Sequence, residues 1–179
     1  MSELIESITY HTTLEYFNWS TWYYHFPVDS ATTKKLSSPD HKRVICLVNG
    51  EVKMNSALMP WGDGSYIMVN KKIRERLGLK EGDPVTLQLK KDTSEYGMPM
   101  PESLQVMLDQ DDTGSNYFHA LTPGKQRSLI YLVSKVKNID KQINKALAIL
   151  DHLKDVNGQL DFKLLSEKIK EYNNRSNLT

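Results

Sequence analysis

Apolar and polar residues alternate strictly through Val85-Thr86-Leu87-Gln88-Leu89-Lys90, the period of a strand with one buried face. Upstream, the β-branched and aromatic run Tyr66-Ile67-Met68-Val69 predicts a second strand. It is entered through Gly62-Asp63-Gly64, whose residues tolerate the positive φ of a tight reversal. Between these strands Asn70 is placed to cap a short helix. Ile73 and Leu77 fall four apart on one face of it, and Gly78 stands where a left-handed closing residue is wanted. Gly82-Asp83-Pro84 turns the chain again. Residues 56–92 thus read as strand, turn, strand, short helix, turn, strand.

The flanking segments extend this pattern. Met1 to Thr12 is weakly patterned and reads as a frayed tail or an edge strand. Thr13 to Asn18 and Ser20 to Phe26 read as two aromatic-rich strands, with Asn18 and Trp19 near their connection. Pro27 is expected to end the second, since it cannot donate to a ladder. Asp29 or Ser30 caps a short helix through Leu36, and residues 37–40 form a loop. Arg43 to Val48 and Glu51 to Ala57 flank Asn49-Gly50, a pair suited to a type I′ hairpin turn.

Beyond Asp92, two prolines and a glycine without periodicity mark a linker, and the period then becomes helical. Pro101 opens a helix whose Leu104, Met107 and Leu108 share a face, and Asp109 to Asn116 is a polar break. Tyr117, Phe118 and Leu121 dock a short turn. Thr122-Pro123 starts a helix bearing Leu129, Ile130, Leu132, Val133 and Val136. Ile139, Ile143, Leu147, Leu150 and Leu153 continue at helical spacing to a stop at Gly158. A last helix, Asp161 to Tyr172, presents Phe162, Leu165, Ile169 and Tyr172 ahead of a polar tail from Asn173. No internal repeat is visible beyond the two hairpins. The expected class is α+β: a small, mostly antiparallel β-barrel over residues 1–92, a linker over 93–100, and an α-helical C-terminal segment over 101–179.

Composition narrows the chemistry. Across 179 residues, 39% hydrophobic content suffices for a core, and Lys+Arg 23 against Asp+Glu 22 leaves +1, so any basic patch must be local. The single cysteine, Cys46, excludes an intramolecular disulfide and a multi-cysteine metal site, and it sits among Val44, Ile45, Leu47 and Val48 as inert packing. No run approaches the roughly 20 apolar residues of a membrane span. The N-terminus lacks the pattern of a signal peptide, so a cytoplasmic location is expected. His11, His25, His41, His119 and His152 have no metal-ligand spacing. Asp109-x-Asp111-x-Thr113-Gly114 imitates the start of a calcium loop but has Ala120 where a bidentate glutamate is required. No acid, base and nucleophile form a set, so neither catalytic nor metal-ligating residues are assigned and no cofactor is expected.

Two constellations remain. Lys71, Lys72, Arg74 and Arg76 cluster on the short helix and, with Lys53 or Arg43, form a candidate phosphate-facing patch. Trp19, Trp22, Tyr23, Tyr24, Trp61 and Tyr66 form an aromatic set suited to packing the core and rim, or to lining a ligand mouth. Candidate binding residues are Trp19, Trp22, Tyr24, Arg43, Trp61, Lys71, Lys72, Arg74 and Arg76.

Tyr66 to Leu89, through Lys71-Lys72-Ile73-Arg74, Leu77-Gly78-Leu79 and Gly82-Asp83, resembles the swapped-hairpin half of the AbrB/MazE transition-state regulators. That resemblance implies a double-split β-barrel and, through the comparable helix, DNA binding. Trp22 to Pro27, Arg43 to Val48, Ser56 to Pro60, Gly62 to Tyr66, Lys71, Arg74 and Asp92 resemble a bacterial barrel domain of unknown function. In that family a helical segment called YdeI/OmpD-associated, or bacteriocin-protection, often follows, and Met100 to Leu104, Phe118 to Leu121, Pro123-Gly124-Lys125 and Lys137 resemble it. The resemblance implies a role in stress or antimicrobial-peptide tolerance. The expected function is a non-enzymatic binding or adaptor protein with a protein partner and no membrane insertion, monomeric or weakly homo-oligomeric. The alternative is a nucleic-acid-binding regulator using residues 71–76.

Overall fold

The computed structural model describes residues 6–18 and 23–177. They form two compact units that divide between Gly97 and Met98. The N-terminal unit runs β1 (Ile8–Thr13), β2 (Glu15–Phe17), β3 (Tyr23–Val28), α1 (Ser30–Leu36), β4 (Arg43–Val48), β5 (Val52–Ala57), β6 (Met59–Trp61), β7 (Gly64–Val69), α2 (Lys71–Arg76) and β8 (Pro84–Lys91). Among the described residues all pairing is antiparallel, in two four-stranded sheets ordered β1-β8-β4-β5 and β2-β3-β7-β6.

The α+β class and the strands at Tyr66–Val69 and Val85–Leu89 hold, but no closed barrel forms among the described residues. The chain crosses between sheets at two bends, Leu14 and Leu58, both fully buried. Each leucine donates its N–H to the residue just ahead of a neighbouring strand, Leu14 to the Asp83 carbonyl (2.9 Å) and Leu58 to the Lys42 carbonyl (2.8 Å).

These bends expose a repeat that the sequence analysis misses. The order β1-β2-β3-α1-β4 recurs as β5-β6-β7-α2-β8, and exchanging the two sets maps each sheet onto itself. The helices match as well: Asp29 caps α1 by accepting from Thr32 N–H (2.7 Å), and Asn70 caps α2 by accepting from Ile73 N–H (2.9 Å). One core fills the space between the sheets, from Leu14, Phe26, Val44, Cys46, Ile67, Leu87 and Leu89 among others. Gly64 is required at the β6–β7 turn because a Cβ there would lie 2.4 Å from the Val28 carbonyl oxygen. The Asn49-Gly50 turn takes positive φ at both residues, as its sequence demands.

Pro27 does not end β3, which continues to Val28 with Pro27 opposite Tyr66. The β2 ladder reaches only His25, and the Pro27 carbonyl accepts from the Thr12 hydroxyl (2.8 Å). The side from which its N–H is missing therefore carries no ladder.

The C-terminal unit comprises α3 (Glu102–Gln110), α4 (Asp112–Ala120), α5 (Pro123–Ser134), α6 (Ile139–Asp155) and α7 (Phe162–Ser176). Leu104, Leu108, Phe118, Leu129, Ile130, Val133, Ile149, Leu153 and Leu165 are buried, whereas Ile139 and Phe162 are exposed despite their helical spacing. The expected polar break at Asp109 to Asn116 is mostly helix. Asp111 caps α4 by accepting from Gly114 N–H (2.8 Å), and its other oxygen pairs with Lys154 (2.6 Å). α7 also extends through four residues assigned to the polar tail.

Candidate binding cleft

The exchange of the two repeats relates two seams between the sheets, one along β1 and β3, the other along β5 and β7. In the first, the Tyr10 hydroxyl accepts from Asp29 N–H (3.0 Å) and the Thr12 hydroxyl donates to the Pro27 carbonyl (2.8 Å). These bonds seal the seam. Counting back from the corner leucines and from the helix caps, Met54 stands where Tyr10 does, Ser56 for Thr12, Met68 for Pro27 and Asn70 for Asp29. A thioether offers no comparable hydrogen bond. Here the seam opens as a cleft of about 540 Å³, lined by Met54, Ser56, Met68 and Asn70 together with Tyr23, Met59, Val69 and Ile73.

The lining of the cleft is mostly apolar. Arg43 and Lys71 are the charged groups among the described residues that line it. Three methionines give it surfaces that repack around different shapes. Arg43 donates from Nη2 to the Gly97 carbonyl (3.0 Å), and a Cβ at Gly97 would lie 2.9 Å from the Arg43 Nε. Behind Arg43 sits the buried Asp92, whose carboxylate accepts from Asn55 Nδ2 (2.9 Å), Ser94 N–H (3.0 Å) and the Ser94 hydroxyl. Burial pushes this carboxyl up, but the bonds from Ser94 and Asn55 and the charge of Arg43 outweigh it and hold the group below the usual carboxylate range. Asp92 thereby fixes the amide of Asn55, another lining residue.

The residues picked out by sequence fall into separate places. Arg43 and Lys71 line the cleft. Lys71 also pairs with Glu75 (3.6 Å), and the Arg74 guanidinium lies 3.8 Å over the Tyr24 ring, which in turn packs against Tyr16 (5.7 Å). Lys72 and Arg76 are exposed and four apart along α2. Of the four cations of the basic helix, Lys71 and Arg74 thus have partners within the unit, while Lys72 and Arg76 share one exposed face. Trp61 lies on the outer face of the second sheet, half exposed, in a cluster with Phe17 (4.7 Å) and Tyr66 (6.2 Å). Phe17 stacks on the buried His25 at 3.9 Å, and His25 lies 3.9 Å from the Glu15 carboxylate. Trp19 and Trp22 lie outside the described residues.

Sequence reasoning missed Met54, Met59, Met68, Asn55 and Asn70 as cleft residues. The available signal was methionine recurring in strands, a residue that fills core gaps as readily as it lines a binding surface. Among the described residues no group of three or more His, Cys, Asp or Glu is placed to hold a metal. Cys46 is buried, and burial pushes its thiol up to about 12.

Residues 10–89 match the family model described as a domain of unknown function (DUF1905), and residues 98–155 match the model described as Bacteriocin-protection, YdeI or OmpD-Associated. These matches support a two-part layout. A comparison with curated proteins finds no match. Among the described residues no helix is long and apolar enough to cross a membrane.

Proposed function

We propose that the protein is a non-enzymatic binding or adaptor module whose N-terminal unit takes an apolar, negatively charged ligand into the cleft along β5. The observation that carries this reading is the contrast between the seams: the same architecture is sealed by two hydrogen bonds on one side and open on the other, where methionines line it together with Arg43 and Lys71. The lining offers a shaped apolar floor and cations, without a nucleophile paired to a base. The description matched by residues 98–155 supports a role in tolerance of antimicrobial peptides. Arg43 and Lys71 are the charged groups among the described lining residues, and no carboxylate stands with them to receive a cationic peptide, which favours an adaptor over a sequestering protein. The lone buried thiol suits a cytoplasmic setting. The fold of Tyr66 to Leu89 as β7-α2-β8 supports kinship with the AbrB/MazE half-barrel.

Methionine methyl NMR tests the cleft directly. Titration with dodecanoate is expected to shift the Met54, Met59 and Met68 methyls and leave Met98, Met100 and Met107 in place, with dodecylamine much weaker. No shift, or an equal response from all methionines, overturns the reading.

A further inference from the structure

We infer that the open seam accepts an extended, acidic peptide segment of a partner protein, which pairs main chain to main chain along β5 as an added strand. The inference rests on the binding reading above and narrows its ligand to a polypeptide.

Three observations converge. First, among the described residues β5 ends its sheet, bonded to β4 on one side only. Leu58 N–H bonds to Lys42, and the same register pairs Ser56 with Val44, Met54 with Cys46 and Val52 with Val48. In an antiparallel ladder alternate residues bond to the neighbour, so Lys53, Asn55 and Ala57 turn their N–H and C=O away from β4, and two of these three line the cleft. Second, the opposite wall has the same character. The Pro27 carbonyl points away from β7, so Pro27–Tyr66 and His25–Met68 are the non-bonded pairs of that ladder. Met68 therefore directs its own N–H and C=O away from β3, and the β6–β7 ladder has already stopped at Met59–Tyr66. Main-chain donors and acceptors thus stand on both walls with no ladder joining β5 to β7. Third, the lining is mostly apolar and its charged groups among the described residues are Arg43 and Lys71, which suits a strand presenting apolar side chains inward beside acidic ones. In the sealed seam a phenol and a hydroxyl make these bonds; Ser56 keeps a hydroxyl, but Met54 puts a thioether where the phenol stands.

The test uses the full chain and a displayed library of random ten-residue peptides. Selected peptides are expected to alternate apolar and acidic residues. N-methylation of their backbone at every second position should abolish binding in one phase and be tolerated in the other, the signature of a strand pairing along one edge. Lys71→Glu should weaken them about fivefold. The double variant Met54→Tyr/Ser56→Thr, which transplants the sealing side chains, should abolish binding without lowering the melting temperature. Where that variant does not fold, the N-methyl pattern alone decides. Peptides that bind regardless of methylation phase, or no enrichment at all, overturn strand addition. A dodecanoate response at Met54, Met59 and Met68 surviving such a result leaves the cleft standing and removes only the peptide. Loss of both removes the binding reading as well.

Discussion

Asp92 shows how one side chain organises its surroundings. It is buried, accepts from Asn55 and Ser94, and lies beside Arg43, and together these contacts tie residues 92–97 back to the sheet. Its folded-state affinity for a proton lies below that of an unfolded aspartate, about 3.9. Its contribution is therefore fully present above that value and is lost as pH falls from about 4 through the folded value. Asp92→Asn, which replaces an acceptor by a donor facing other donors, is expected to cost about 1–3 kcal/mol at pH 7. Urea unfolding should show that difference shrinking at pH 3.5, and an equal loss at both pH values would refute the assignment. Cys46 is the inert counterpart. Because the thiol is buried and pushed up to about 12, modification by Ellman's reagent at pH 8 should proceed only at the rate of unfolding, and prompt labelling of the native protein would contradict its placement.

At the scale of elements, the start of α7 depends on a buried histidine in α6. His152 Nε2 accepts the Asp161 N–H (3.1 Å), so the ring is neutral with its proton on Nδ1, and Asp161 in turn caps α7 by accepting from Lys163 and Leu164 N–H. Burial lowers the affinity of His152 for a proton and Lys168 adds to this, against the opposing charges of Asp161 and Asp155. A histidine depressed in this way supports the fold above its unfolded value of about 6.5 and withdraws that support as pH falls through the folded value, where protonation removes the acceptor. Amide hydrogen exchange in α7, corrected for intrinsic rates, should accelerate relative to α5 between pH 7.5 and 5. His152→Gln, which retains an acceptor without titrating, should flatten that dependence. A wild-type α7 indifferent to pH would count against this coupling.

At the scale of the molecule, the twofold repeat makes the halves of the N-terminal unit interdependent. β1 pairs with β8, β3 with β7, and β4 with both β5 and β8, so within the first half only β2 and β3 find each other. A fragment ending at Val48 has no sheet of its own and a two-stranded remnant is not stable in water. Residues 6–48 alone are expected to show a random-coil circular dichroism spectrum. Mixing them with residues 51–97 should restore the β signal, and a folded isolated half would refute the interdigitated topology.

The local elements were legible in the chain because their causes are local. Alternation in Val85–Lys90 marks a buried face, Asn70 and Gly78 bracket α2, and Asn49-Gly50 can adopt the positive φ that its turn requires. Even the helical period after Pro101 was plain, although Asp111 reads as a break in sequence and acts as a cap in the fold. What tertiary structure alone decided depends on contacts between residues far apart. The bends at Leu14 and Leu58 split the strands into two sheets, and the repeat is carried by topology and hydrogen bonds with little identity between its halves. The cleft is the clearest case. Met54 and Ser56 read in sequence as ordinary strand residues, and they define an opening only because Tyr10 and Thr12 close the equivalent seam elsewhere. That comparison exists in the folded chain, where the two seams are related, and in no single stretch of the sequence.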